Sequence, residues 1–125
     1  MTDKQFRKQR KRVQRHFRVW RERLRLTGWE FGFNYHRGPY EVNGATNQRC
    51  MASAAVDWEY RAATLDFNLA EIARASEREV ENCVVHELCH VLVREMRQWA
   101  TADDGLAHEE RVCTEVAWAF LGMKG

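Results

Sequence analysis

The chain has 125 residues, of which 45% are hydrophobic and 30% are charged, and it contains a single proline. This length fits one domain, and the composition excludes a disordered or low-complexity chain. No uncharged run approaches the ~20 apolar residues that span a bilayer, and no apolar segment follows the basic N-terminus. We therefore expect neither a membrane anchor nor a signal peptide.

Charge and cysteines are distributed in an informative way. Residues 1–26 contain 11 of the 20 Lys and Arg but only 2 of the 18 Asp and Glu, although the net charge of the whole chain is only +2. The remainder of the chain is therefore acidic. The four cysteines show no CxxC spacing, which predicts reduced thiols in a cytoplasmic protein. They are Cys50, Cys83, Cys89 and Cys113.

The first predicted element is a basic amphipathic helix over residues 1–27. Gly28 is a typical helix terminator. The apolar side chains of this helix recur at the spacing of one helical stripe, which consists of Phe6, Val13, Phe17, Trp20 and Leu24. Three roles remain open for its cations. They form a solvated face, they bind nucleic acid or another acidic partner, or the helix packs across the acidic remainder with its apolar stripe in the core.

Strands are predicted next. Residues 29–36 alternate aromatic with mostly polar side chains, as in a half-buried strand. Residues 38–48 are predicted to form a loop. Two runs rich in small and β-compatible residues, 50–60 and 61–70, predict an antiparallel hairpin that turns between them. We expect these strands to form a mixed sheet of three or slightly more strands.

Two helices complete a predicted α+β fold. Ser76 stands at an N-cap with Glu79 three residues later, a capping box that satisfies two backbone N–H groups. Apolar spacing continues this helix from residue 77 to about Trp99, and residues 101–105 are predicted to break the helix. A last helix is predicted over about residues 106–121. The sheet is expected to pack against the helix that starts after Ser76.

The sequence His86-Glu87-Leu88-Cys89-His90 lies within that helix. A four-residue separation places His86 and His90 on one helix face, one turn apart, where both imidazoles can bind a single Zn²⁺. Glu87 lies about 100° around the helix, and from there its carboxylate can accept a proton from a metal-activated water. The pattern predicts a hydrolytic site with Glu87 as the general base.

A catalytic zinc takes three protein ligands, so a third ligand must come from elsewhere in the chain. Val93 and Met96 stand where the HEXXHXXGXXH pattern needs Gly and His, which excludes that class and argues against the three-histidine endoribonuclease pattern. The candidates at the start of the last helix are His108, Glu109 and Glu110. Helical phase favours Glu109, which lies nearer to the apolar stripe. A role for both glutamates as solvated residues that favour the helix dipole also remains open.

The surroundings of Glu110 resemble the glutamate helix of gluzincin metallopeptidases, with the small Cys113 at +3 and the polar Thr114 at +4. The resemblance implies that Glu110 is the third ligand and that Thr114 supports a metal-bound histidine. The runs DWEYRAATLDFN, EVENCVVHELCHVL and HEERVCTEVAWAF are similar to the small single-domain zincin-like proteins of phages and prophages. Larger gluzincins use a Tyr or His to stabilise the oxyanion, and Tyr60 and His108 are the candidates for that role.

These patterns predict a minimal zincin-like domain over residues 1–125, with the basic helix at 1–27 and a catalytic core at 29–122. The expected activity is zinc-dependent hydrolysis of a protein or peptide, which adds as a strand beside the hairpin at 50–69 near the metal. The alternative is a non-catalytic, metal-stabilised binding or regulatory module that contacts nucleic acid through the basic helix. Deleting residues 1–25 is expected to affect binding to an acidic partner more than zinc content.

Overall fold

The structure is a computed structural model that describes residues 1–42, 44–46, 50–99 and 102–123, with the backbone alone at 98–99 and 102–104. Its helices are α1 (Asp3–Arg23), α2 (Leu69–Arg74), α3 (Glu77–Val93) and α4 (Ala102–Leu121). Its strands are β1 (Glu30–His36), β2 (Glu41–Val42), β3 (Ala45–Thr46), β4 (Ala52–Asp57) and β5 (Ala62–Asn68). Two 3₁₀ segments cover Trp58–Tyr60 and Arg94–Trp99. The predicted α+β class is confirmed.

The main sheet has three strands in the order β1-β5-β4. β1 runs parallel to β5, whereas β4 pairs antiparallel with β5, so the predicted mixed sheet and hairpin are both confirmed. The hairpin turns through the Trp58–Tyr60 segment and Arg61, which adopts a left-handed conformation with φ of 50°. β4 therefore lies at one edge of the sheet, and within the described ranges no further strand pairs with its outer side.

The basic segment forms α1, and its apolar stripe lies in the core. Val13, Phe17 and Trp20 are buried, while Phe6 and Leu24 are partly buried against the same cluster. Phe17 packs edge-to-face on two aromatic rings of β1, with centroid distances of 4.9 and 4.8 Å. Thr2 and Gln5 cap the helix with a complete capping box. Core packing is thus the role of the inner side of α1, and its outer side carries exposed cations.

The segment between the first strand and the hairpin differs from the predicted loop. β2 and β3 form a small antiparallel pair within residues 38–48. Residues 43 and 47–49 lie outside the described residues. The prediction missed this pair because two-residue strands are too short to show an alternating pattern.

The run predicted as a strand up to residue 70 ends two residues early. The Asn68 side chain accepts hydrogen bonds from the backbone N–H groups of Ala70 and Glu71, and this cap starts the short helix α2. The apolar residues that follow are buried as helix residues: Leu69 and Ile72 both lie in the core. The predicted strand was too long because Asn68, inside an apolar run, acts as a helix cap.

The boundaries of the last two helices also differ from prediction. α3 ends at Val93, and the chain tightens into a 3₁₀ segment that continues to Trp99. α4 begins at Ala102, so residues 102–105 form its first turn instead of a break. Acidic residues at 103 and 104 suit a first helical turn because the helix dipole favours them there. Residue 101 lies outside the described part of the chain.

Two further findings concern membranes and cysteines. Among the described residues, none of the helices combines the length and the apolar character needed to cross a bilayer. All four cysteines are free thiols, and Cys89 and Cys113 are buried between α3 and α4.

Candidate metal centre

The candidate site begins with the cap of α3. The Ser76 hydroxyl accepts the backbone N–H of Glu79 at 3.1 Å, as predicted. The reciprocal half of the predicted capping box is different, because the Glu79 carboxylate accepts from the Ser76 hydroxyl and not from its backbone N–H. This cap fixes the start of α3, and α3 packs against both α4 and β4. His86 and His90 consequently lie between these elements.

The structure brings His86, His90 and Glu110 together. One ligand atom from each lies within 4.8 Å of the others. The two Nε2 atoms are 3.2 Å apart. His86 Nε2 lies 3.1 Å from Glu110 Oε2, and His90 Nε2 lies 2.9 Å from Glu110 Oε1. Two ring nitrogens from one helix therefore converge with one carboxylate from the next helix.

These separations fit a zinc ion. Tetrahedral Zn²⁺ with bonds of 2.0–2.2 Å holds neighbouring ligand atoms about 3.3 to 3.6 Å apart. The two Nε2 atoms, at 3.2 Å, are close to this value, and each of them faces a different oxygen of Glu110. Imidazole nitrogen and carboxylate oxygen are both common zinc ligands, and three protein ligands leave one position open. His86, His90 and Glu110 are thus the residues that could hold the metal.

Electrostatics within the cluster follow from its packing. Burial alone would lower the pKa of His90, but the neighbouring Cys113, Glu109 and Glu110 raise that pKa to about 12. The two histidines hold the pKa of Glu110 well below its usual range. The cluster therefore favours a negative carboxylate beside His90.

Glu87 lines the same cleft and is buried, with 6% of its surface exposed. Burial raises the pKa of its carboxyl, while His86 and His90 oppose this rise. A buried carboxylate is costly without a partner. Glu87 therefore lies beside the cluster, and it is not one of the three residues whose ligand atoms converge.

Glu109, the competing candidate for the third ligand, has a different position. Its side chain is only 3% exposed and is bound by two arginines of the 3₁₀ segment. Arg94 Nε lies 2.9 Å from Glu109 Oε1, and Arg97 binds the other oxygen. Helical phase correctly predicted that Glu109 points inward, but the residue is buried against arginines. Burial raises the pKa of Glu109, but the neighbouring His90, Arg97 and Arg94 lower it to about 2.

Glu109 also lies behind the metal cluster. Its Oε1 is 3.6 Å from His90 Nδ1, the ring nitrogen on the side away from Glu110. This nitrogen is buried and has no hydrogen-bond partner among the described residues. A histidine that binds metal through one nitrogen usually donates from the other nitrogen to a carboxylate or carbonyl. Glu109 is placed for that role, whereas no hydrogen bond of the described residues joins Thr114 to either histidine.

The two arginines connect this pair to the rest of the cleft. Arg94 also donates to the Ala54 carbonyl on β4, at 3.3 Å. Arg97 packs closely against the first turn of α4, where a Cβ on Gly105 would lie 2.5 Å from Arg97 Cγ. Glycine at 105 therefore allows the approach that brings Arg97 to Glu109. The sequence did not predict a role for either arginine. Both follow α3 directly, and their separation of three residues places them on the same side of the chain.

An open cleft of about 530 Å³ surrounds the cluster. Its other wall is formed by β4 and the preceding residues, with Tyr40 beside them. The Tyr40 hydroxyl donates to the Asp66 carbonyl at 3.1 Å and lies 2.9 Å from Ser53 Oγ. Burial raises the pKa of Tyr40. The sequence predicted that this tyrosine lies in a loop and indicated no role for it.

The two residues predicted to stabilise an oxyanion lie elsewhere. Tyr60 is 76% exposed at the hairpin turn. His108 is exposed and borders a separate pocket with Met96 and Val112. Neither contributes to the cleft around the cluster. His108 cannot take the predicted role because it points away from the side of α4 that carries Glu110.

No family model, curated protein or solved structure was found to match this chain.

Proposed function

We propose that the protein is a zinc-dependent peptidase of the gluzincin type, in which His86, His90 and Glu110 hold the metal. The observation that carries this proposal is the convergence of three ligand atoms within 4.8 Å, on the wall of an open cleft that Glu87 also lines. A purely structural zinc site normally has four protein ligands and no open position. Three ligands beside a buried carboxylate favour catalysis.

In this proposal the residues of the site have separate roles. A zinc ion held here supplies a Lewis acid that lowers the pKa of water and polarises a carbonyl. Glu87 accepts the proton of the attacking water at its carboxylate and then donates it to the leaving nitrogen. Glu109 orients the His90 ring from the Nδ1 side. The cleft walls position the peptide relative to these groups.

The free edge of β4 supports an extended substrate. The Asn68 N–H binds the Met51 carbonyl, so alternate residues of this strand bond to β5 and the residues between them face outward. Ala52 and Ala54 line the cleft with backbone groups that face outward, and the outward carbonyl of Ala54 accepts a hydrogen bond from Arg94 at 3.3 Å, which a bound peptide must replace. An extended peptide could therefore add to this edge as a further strand. Their small side chains leave room for the approach of a second backbone.

Tyr40 is the best candidate for a group that stabilises the oxyanion. It replaces Tyr60 and His108 because its hydroxyl lies in the wall of the cleft. The hydroxyl already donates within that wall, so it must turn towards the substrate to act. Tyr40→Phe is expected to lower kcat by about 10²-fold, the typical effect of losing one such donor, with zinc content unchanged.

Cleavage of a degenerate peptide pool, followed by mass spectrometry, tests the activity. The zinc-loaded protein should cleave peptides, and chelation should stop cleavage until zinc is restored. Glu87→Gln should keep zinc bound but lower the rate at least ~10²-fold, since only the proton acceptor is lost. His90→Ala should lose stoichiometric zinc and activity together.

Glu95→Gln provides a matched control, because Glu95 is an exposed glutamate just beyond α3. This variant should behave like wild type. If Glu87→Gln cleaves at the wild-type rate, the assigned mechanism is wrong. If zinc-loaded wild type cleaves nothing in the pool, a metal-stabilised binding module becomes the better interpretation.

A further inference from the structure

The orientation of α1 is fixed by its buried side. Val13, Phe17 and Trp20 point into the core. Contacts from neighbouring elements also hold the flanks of the helix: Arg12 donates to the Ile72 and Ala75 carbonyls, and the Trp20 indole donates to Glu81. The opposite side of α1 must therefore face solvent.

That outer side presents a row of cations, which we name the basic face. At 100° per residue, its members lie within about 60° of the direction opposite Val13. All are exposed, and the basic face consists of Lys4, Arg7, Lys8, Lys11, Arg15 and Arg18. Among the described residues, only Arg15 of this set forms an ion pair, with Glu77 at 2.7 Å. The acid on the same side, Glu22, lies one turn beyond Arg18.

We propose that the basic face binds the sugar-phosphate backbone of duplex DNA, independently of the metal centre. The row from Lys4 to Arg18 is about 21 Å long at 1.5 Å per residue. The two strands of duplex DNA together carry a phosphate about every 1.7 Å along the helix axis, so about twelve phosphates lie within this length, and the six cations can contact those on the near side of the duplex. A rigid helix presents these cations at spacings of three and four residues, without the ordering cost of a flexible tail.

The composition of the basic face argues against other acidic partners. Proteins that bind single strands stack bases on exposed aromatic rings, and the basic face has none. A helix that binds a membrane surface inserts its apolar side, but the apolar side of α1 is in the core. Its outward side has one large exposed hydrophobic residue, Val19. Lys and Arg alone suit phosphate contacts without base reading.

The test is fluorescence anisotropy with a labelled 20-base-pair DNA duplex of mixed sequence, measured from 50 to 200 mM salt. Wild type should bind, with a linear fall of log K against log salt. The triple variant Lys8→Gln, Lys11→Gln, Arg18→Gln should lower the steepness of that slope by about 2 to 3, since each lost contact removes about 0.9. Its affinity at 50 mM salt should fall at least tenfold.

The matched control is the triple variant Arg74→Gln, Arg78→Gln, Arg111→Gln. It removes the same charge from exposed positions on α2, α3 and α4. This control should retain the wild-type affinity and slope. Circular dichroism and zinc content should be unchanged for both triple variants, because no substituted residue lies in the core or in the metal cluster.

Three results would overturn the proposal. These are no binding of wild type to DNA at 50 mM salt, an equal loss of affinity in both triple variants, or tighter binding of poly-glutamate or duplex RNA than of the DNA. The second result would show that net charge matters and the basic face does not. The third would identify a different partner for this surface.

Discussion

The metal cleft and the outer side of α1 hold charge in opposite ways. Behind the cleft, Glu109 is 3% exposed and is fixed between Arg94 and Arg97, which line the cleft. Beside α1, Glu77 is 54% exposed and interacts with Arg12, Arg15 and His16. Buried charges are costly when a partner is lost, whereas exposed ion pairs contribute little to stability. The cleft therefore uses charge to fix positions, and the surface of α1 leaves charge available for a partner.

Removal of α1 should have the largest effect. Deleting residues 1–25 would expose the core surface that Val13, Phe17 and Trp20 cover, so the remaining chain should not fold. This expectation replaces the sequence-based prediction that deletion mainly affects an acidic partner. The single variant Phe17→Ala should lose about 3 to 5 kcal/mol of unfolding free energy in urea denaturation. A folded deletion variant with normal zinc content would show that α1 is an accessory helix.

Breaking the buried ion cluster should have the next largest effect. Glu109→Ala leaves Arg94 and Arg97 without their acid, and we expect a loss of about 3 to 5 kcal/mol in unfolding free energy. Glu115→Ala on the same helix is the control, since its i,i+4 pair with Arg111 is exposed and should contribute less than about 1 kcal/mol. Equal losses in the two variants would mean that burial does not distinguish these pairs.

The exposed cluster at Glu77 should have the smallest effect, and that effect should depend on pH. His16, Arg12 and Arg15 lower the pKa of Glu77 from 4.5 to about 2. Because the folded state has the lower pKa, this stabilisation is present above pH 4.5 and is lost as the pH falls from about 4.5 towards 2. Since Glu77 is largely exposed, Glu77→Gln should cost less than about 1 kcal/mol at pH 7.

Thermal melts of wild type and Glu77→Gln between pH 2 and 7 check this prediction. The two stabilities should converge towards pH 2 and differ most at neutral pH. A constant difference across that range would mean that the negative charge of Glu77 does not contribute.

Sequence periodicity predicted α1, α3, α4 and the hairpin, because each of these elements has one buried side with a regular spacing. It also predicted which residues could meet in the cluster, since His86 and His90 lie one turn apart on the same helix. It could not assign Glu109 and Glu110 with certainty. Both residues are neighbours within α4, and the positions of Arg94 and Arg97 show which acid is engaged elsewhere.

The boundaries were least predictable. The end of α3 at Val93 leaves no clear mark in the apolar spacing, and α2 depends on a single cap at Asn68. The gluzincin resemblance implied that Thr114 supports a metal-bound histidine, whereas it gave no sign that Glu109 lies beside His90 Nδ1. That contact depends on how α3 and α4 cross, which a pattern within either helix does not specify.

The zinc affinities of Glu110→Gln and Glu109→Gln, measured by competition with a chelator, test the central claim most directly. Glu110→Gln removes a proposed ligand. Loss of a residue that only supports a ligand lowers metal affinity by roughly 100-fold at most, so Glu110→Gln should lower zinc affinity by more than that. Glu109→Gln keeps the three proposed ligands but removes the carboxylate beside His90, so zinc affinity should fall by about 10 to 100-fold. The opposite order, with zinc lost from Glu109→Gln and kept by Glu110→Gln, would contradict this account of the metal centre.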